Sequence, residues 1–225
     1  MTYLSLVPIH EVRRSGIRRD TPDVRHREVM ELFGRIDSAS PRSSAGVLFR
    51  VDIADWQVLS GSDRHGTGGV SKVPVYLIRS KVPPEFDKPS MITREETDTV
   101  PTEGSAVQFR IAVNGIERVD RDKARPTRRD GEPPKGPDDR SLTISQWLQK
   151  RLDGALKDIK ISNHQREVLG ADRHGRHTNS GKVIQIDTID GIATVDAQAR
   201  LIELLENGVG RAKSYGCGLL TIKDI

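Results

Sequence analysis

The order of predicted elements, strand–helix–strand–strand–helix–strand, points to an α+β fold of two tandem βαββαβ units. Three observations carry that prediction. The chain has 225 residues, which suits two units of about 100 residues, each with its own core. From residue 106 onward the full order occurs once, and the first half opens with strand, helix, strand, strand. Apolar residues alternate in the short runs and recur every three or four residues in the longer ones.

In the first half, Thr2–Val7 alternates and reads as a strand. An Arg-rich segment over 12–20 follows, too polar to pack. Thr21 then serves as N-cap with Pro22 at the first helical position. Val24, Val29, Met30 and Phe33 give that helix an apolar face, and Gly34 closes it. Residues 46–52, 55–59 and Val73–Arg79 read as strands, with a Gly/Ser loop over 61–72. Residues 81–104 are rich in Pro, Thr and Glu and read as weak structure plus linker.

In the second half, Ala106–Val113 is a strand. Residues 114–140 carry many charges and four Pro without apolar period, the composition of an exposed insertion. Ser141–Leu152 is a helix with Ile144, Trp147, Leu148 and Leu152 on one face, and Leu156–Ile161 an extra strand. Lys182–Ile189 and Ile192–Val195 alternate around Asp190-Gly191, a type I′ hairpin signal. Asp196 is the expected cap of a helix burying Leu201, Leu204 and Leu205, and Gly218–Lys223 is the last strand. The result is two tandem ferredoxin-like, RRM-like units: residues 1–88, a linker over 89–105, and residues 106–225. A short echo, Asp-Arg-His-Gly at 63–66 and 172–175, is no more than chance would give.

Lys plus Arg number 36 against 32 Asp plus Glu, a net charge of +4. The excess is local: residues 13–27 hold six Arg against Asp20 and Asp23. Arg outnumbers Lys 25 to 11, and its planar fork suits phosphate oxygens. Nine aromatic residues are too few for base-stacking on a sheet. One cysteine, Cys217, rules out an internal disulfide or a cysteine metal cluster. No run approaches the roughly 18–20 apolar residues of a membrane span. No basic stretch precedes the apolar residues of 1–10, so a soluble, cytoplasmic protein is expected.

The most specific segment is Gly208-Val-Gly-Arg-Ala-Lys-Ser-Tyr-Gly-Cys-Gly218. Gly208, Gly210, Gly216 and Gly218 surround Arg211 and Lys213, a pattern that exposes backbone N–H groups to phosphate. The dinucleotide fingerprint fails because Lys213 stands where its third Gly should be, and the P-loop fails because no Gly precedes Lys213-Ser214. The alternative is a tight helix-to-strand connection whose glycines serve packing.

This loop resembles the C-terminal glycine-rich loop of the RAMP superfamily of CRISPR proteins, and in detail its CasE branch, repeat-processing endoribonucleases. Gly181-Lys182-Val183, Trp147-Leu148, Arg151-Leu152, Phe109-Arg110-Ile111, Tyr3-Leu4-Ser5 and the helix carrying His26 are similar too. The resemblance implies metal-independent cleavage of CRISPR precursor RNA without a cofactor, and membership of the Cascade complex with its other subunits and the crRNA. It also implies His26 as the active-site residue, with Arg27 and Asp23 beside it.

The chemistry asks for few groups. RNA brings its own nucleophile, the 2′-OH, so the protein needs a base, an acid and cations for the developing charge. The helix N-terminus with Arg25 and Arg27 favours neutral His26. Relatives often carry Tyr three residues before this His, where Asp23 stands here, and some carry Lys shortly after it, near Glu31. Asp23 at i,i+3 can hydrogen-bond His26 and raise its pKa, and the sequence leaves open which influence wins. Arg18, Arg25, Arg173 and Arg176 complete the expected RNA contacts, the last two from the segment before the second-unit hairpin. His174 and His177 alone make a weak zinc signal, so no metal is expected. Arg118, Arg121, Lys123, Arg125, Arg128 and Arg129 read as a solvated charge run. Two other classes stay in play: a non-catalytic RAMP-type RNA-binding subunit, and a nucleotide-phosphate-binding domain.

Overall fold

A computed structural model describes residues 1–13, 20–55, 72–86, 88–96, 99–115, 143–170 and 182–225. The expectations placed on Arg18, Arg173, Arg176, His174, His177, the loop over 61–71, residues 56–59 and the segment 116–142 lie outside these residues.

The first half contains β1 (Tyr3–Pro8), α1 (Ile9–Val12), α2 (Pro22–Met30), α3 (Pro41–Ser44), β2 (Leu48–Asp55), β3 (Lys72–Ser80) and β4 (Ile92–Glu95). Its sheet has the order β2-β3-β1-β4 and is antiparallel throughout. The second half contains β5 (Ala106–Val113), α4 (Ile144–Leu152), β6 (Leu156–Leu169), β7 (Ile184–Val195), α5 (Gln198–Asn207) and β8 (Leu220–Asp224). Its antiparallel sheet runs β6-β7-β5-β8, the same 2-3-1-4 order. Both sheets thus have ferredoxin-like topology. In the first half, the connection from β3 to β4 holds no helix among the described residues. Phe86 and Met91 from that connection pack on the core there.

Each unit has its own core. Val7, Val29, Leu32, Phe33, Phe49, Tyr76 and Ile78 close the first. Val107, Ile111, Trp147, Leu148, Leu152, Ile189, Leu201 and Leu220 close the second. A seam of Leu48, Leu77 and Leu219 joins them. Across the seam, Arg50 Nη1 donates to the carbonyls of Arg110 at 3.0 Å and Leu219 at 3.3 Å.

Three expectations need correction. The linker read over 89–105 contains β4, which pairs with β1, and Val100 already packs against the second core. A four-residue edge strand with mostly exposed side chains leaves little hydrophobic pattern to read. The Asp190-Gly191 turn does not exist: β7 runs straight through it, and neither residue has positive φ. Type I′ turns require positive φ at both central positions. The glycine is there for space, because a Cβ at 191 would come within 2.6 Å of the Phe109 ring and the Lys160 carbonyl. The hairpin partner of β7 is β6, the strand read as extra, so the βαββαβ order holds with different members. Finally, Ala197 is the N-cap of α5, and Asp196 pairs instead with Lys157 Nζ at 3.0 Å.

Gly191→Ala is expected to cost about 1–3 kcal/mol through overpacking. Urea unfolding measures this, and a variant as stable as the parent would show that Phe109 and Lys160 give way to a Cβ at 191 without cost.

Candidate active site at the junction of the two halves

The helix α2 begins where the sequence says. Thr21 Oγ1 accepts from the Val24 N–H at 3.2 Å, and Pro22 opens the first turn. Its inner face is only in part the apolar stripe expected: Val29 and Phe33 are buried in the core. Val24 and Met30 are half-buried, whereas Arg25 and Glu28 are 4% and 2% exposed. These charges are buried because each is paired. Arg25 Nη2 donates to Asp20 at 2.7 Å and to Glu167 on β6 at 2.7 Å. Glu28 accepts from Arg13 Nε at 2.9 Å and from the Tyr76 hydroxyl at 2.6 Å. Asp20 also accepts from Arg13 at 3.1 Å, so one continuous relay runs from Tyr76 on β3 through α2 to Glu167 on β6. Burial and the Glu28 contact hold the Tyr76 phenol well above its usual range. Arg25 is therefore a strut between the halves. Its expected role in RNA contact is corrected, since both partners occupy its fork away from solvent.

His26 projects from the same helix, half-buried. It faces the end of the glycine-rich loop, which makes a 3₁₀ turn over Lys213–Tyr215. The Tyr215 ring stands edge-on to the imidazole, centroids 6.2 Å apart at 70°. Nδ1 of His26 is buried without a hydrogen bond, although the Ser214 backbone favours the protonated ring. An open pocket of about 420 Å³ lies against the ring, lined also by Met30, Ser40, Pro41, Arg42, Ser43 and Ser214. A slightly larger cavity, about 480 Å³ between the two sheets, is lined by Leu4, Leu77, Arg79 and Lys223 and contains none of these groups.

Burial lowers the His26 pKa, and Arg42 and Lys182 push the same way against Ser214 and Asp23. Of the opposed influences that the sequence leaves undecided, the lowering side wins, and burial is its largest cause. The cations that act on the ring are Arg42 and Lys182, while Arg27 is exposed on α2 and Arg25 is committed to its carboxylates. Arg42 is held by a 2.7 Å bond to the Val47 carbonyl. Asp23 does not bond His26. Its carboxylate accepts from Lys182 Nζ at 3.4 Å, and the same ammonium donates to the Tyr215 hydroxyl at 2.7 Å.

The glycine loop is built for contact with protein. Gly208, Gly210, Gly216 and Gly218 all have positive φ. A Cβ at Gly208 would meet Leu48 at 2.8 Å, and one at Gly218 would meet the Val209 carbonyl at 2.9 Å. Gly210 lies against Trp147 and Gly216 against Phe49, so the loop wedges between the halves. The packing alternative thus accounts for these four glycines. Lys213 Nζ donates to the Asn207 carbonyl at 2.6 Å, capping α5, and Arg211 Nε donates to Asn114 at 2.9 Å from an exposed position. Cys217 is buried with Ala112, Leu169 and Ile186, and burial pushes its thiol up to about 12.

Lys182, Ser214 and Tyr215 lay inside segments singled out in the sequence, yet carried no signal of their own. Arg42 had none, because its approach to His26 depends on α3.

The fold and site define a tandem ferredoxin-like protein with an imidazole set against a cationic, glycine-rich junction. The chain belongs to the CRISPR-associated protein family, whose model matches residues 2–224. It is 33% identical over 81 residues to the Cascade subunit CasE of Escherichia coli K12, a match spanning 35% of this chain and 38% of that protein. Its fold is similar to that of the CRISPR endoribonuclease Cse3 bound to 19 nt RNA, with TM-score 0.61, 18% identity and 98% of both chains covered. Thermus thermophilus Cse3 bound to an RNA representing a pre-cleavage complex gives 0.59 at 18% identity, covering 99% of this chain and 98% of that one. Cas6e of Escherichia coli K-12 gives 0.57 at 20% identity over the whole of both chains.

Proposed function

We propose that this chain is an endoribonuclease that cleaves CRISPR precursor RNA at the repeat and holds the product crRNA within a Cascade complex. The reading rests on one observation. A half-buried imidazole with a lowered pKa lies beside a pocket, with Arg42 and Lys182 acting on it. Neutral His26 takes the proton of the 2′-OH next to the scissile phosphate. The 2′ oxygen attacks phosphorus, and the 5′ oxygen leaves, giving a 2′,3′-cyclic phosphate and a 5′-OH. Arg42 and Lys182 offset the negative charge that grows on phosphorus. Because the nucleophile belongs to the substrate, the cut needs no metal-activated water. The printed descriptions of the relatives, endoribonucleases with RNA and a Cascade subunit, support the same substrate class.

The test is mass analysis of the ends made from the cognate repeat in EDTA. Cyclic phosphate and 5′-OH termini are expected. Loss of cleavage in EDTA, or cleavage of a substrate with 2′-deoxy at the scissile position, would overturn the reading. Binding with no cleavage would leave a subunit that only holds the guide.

The pH dependence follows from the lowered pKa. Only the neutral ring accepts a proton, so the rate rises with pH and levels off below the ordinary imidazole value of about 6.5. Protonation also costs the folded state more than the unfolded chain. The ring's contribution to stability is therefore present above that value and lost as pH falls through its lowered pKa. An NMR titration of His26 with a midpoint above the free-imidazole value would contradict both.

A further inference from the structure

The cleavage proposed above leaves one proton unassigned, the one the departing 5′ oxygen takes. Aspartate is ordinarily an anion at neutral pH and arginine keeps its proton, so Asp23, Arg27 and Arg42 cannot deliver it. The hydroxyls of Ser40, Ser43 and Ser214 line the pocket but are far weaker acids than a phenol or an ammonium, which leaves the Lys182 ammonium and the Tyr215 phenol beside His26. They are joined: Lys182 Nζ donates to Tyr215 Oη at 2.7 Å and stands 5.2 Å from the ring centroid. The asymmetry of that bond decides between them. Tyr215 and Asp23 both stabilise the charged amine, which makes Lys182 a reluctant acid. The phenol that accepts from it keeps its own O–H, which has no acceptor among the described residues, and the same Lys182 N–H can stay hydrogen-bonded to the oxygen after transfer.

We propose that Tyr215 is the general acid of the cleavage, with Lys182 polarising its hydroxyl and Asp23 positioning Lys182. The assignment rests on the endoribonuclease reading. The step balances. The O2′–P bond forms and the P–O5′ bond breaks. His26 gains the 2′ proton and Tyr215 gives its proton to the 5′ oxygen. The phenolate, paired with Lys182, recovers a proton as the imidazolium loses one through solvent. The glycine loop thus brings the acid to the base from the other half of the chain.

A repeat RNA with sulfur in place of the bridging 5′ oxygen tests this, since a thiolate leaves without a proton. Single-turnover rates are measured on oxygen and sulfur substrates. Tyr215→Phe is expected to slow the oxygen substrate about 10²–10⁴-fold and to cut the sulfur substrate within about tenfold of the parent. Lys182→Met should slow the sulfur substrate as well, through its lost charge, but less than the oxygen substrate, with Lys182→Arg restoring most of the oxygen rate. His26→Ala should slow both substrates. Equal slowing of both by Tyr215→Phe would reduce Tyr215 to a structural residue. An undiminished oxygen rate in Tyr215→Phe, with sulfur rescue confined to Lys182→Met, would make Lys182 the acid. Either result overturns the assignment while leaving the enzyme reading intact, whereas a parent protein that cuts neither substrate overturns both.

Discussion

His26→Ala is expected to slow single-turnover cleavage of repeat RNA by about 10²–10⁴-fold, the usual share of one positioned proton-transfer group. RNA affinity should change little. The imidazole is lowered in pKa and therefore neutral, so it offers the ground-state phosphate no charge. A loss confined to the chemical step marks an interaction made only in the transition state. The side chain is half-buried at a pocket edge, so its removal leaves no large void in the core. Quench-flow cleavage together with filter binding separates the two quantities. A variant that cuts at the parental rate removes His26 from the mechanism, and one that loses binding and rate together makes it part of the RNA grip.

Glu28→Ala should be the most destabilising single change in the first half. The carboxylate is 2% exposed and accepts from Arg13 and from Tyr76, whose side chain is fully buried. Its removal leaves the buried Tyr76 phenol without its acceptor and breaks the Arg13 pair, with Arg13, a quarter exposed, keeping only Asp20. Breaking one side of such a pair costs about 3–5 kcal/mol, which lowers the melting temperature by about 10 °C in a chain of this size. Glu28→Gln keeps an acceptor for Tyr76 and should lie between the two. Thermal unfolding decides: a Glu28→Ala midpoint within a degree or two of the parent would mean that the relay contributes no stability.

Much of the fold is legible from local rules. The Thr21-Pro22 start of α2 and the Thr143–Gln146 capping box of α4 are set by backbone groups within three residues. The strand β5 opens with the exposed–buried alternation that its sequence shows, and β3 is a continuous apolar run, buried from Val75 to Ile78. Legibility fails where a distant partner decides. Asp190-Gly191 has the chemistry of a turn, but Phe109 and Lys160 press on it from neighbouring strands, and β7 continues. Arg25 has the chemistry of a phosphate ligand, but Glu167 lies 142 residues away and takes it. The candidate site divides the same way. His26 is singled out by the resemblance, while Arg42, Lys182 and Tyr215 acquire meaning only when α3, the segment just before β7 and the glycine loop converge on it.

The relay from Tyr76 to Glu167 has a consequence for biosynthesis. A ribosome releases the imidazole-bearing helix long before the strand that braces it and the loop that completes its surroundings. Until translation reaches those elements, the nascent polypeptide carries the reactive ring in an unfinished setting. The proposed site is therefore complete only after Lys182 and Tyr215 have been synthesised, long after His26.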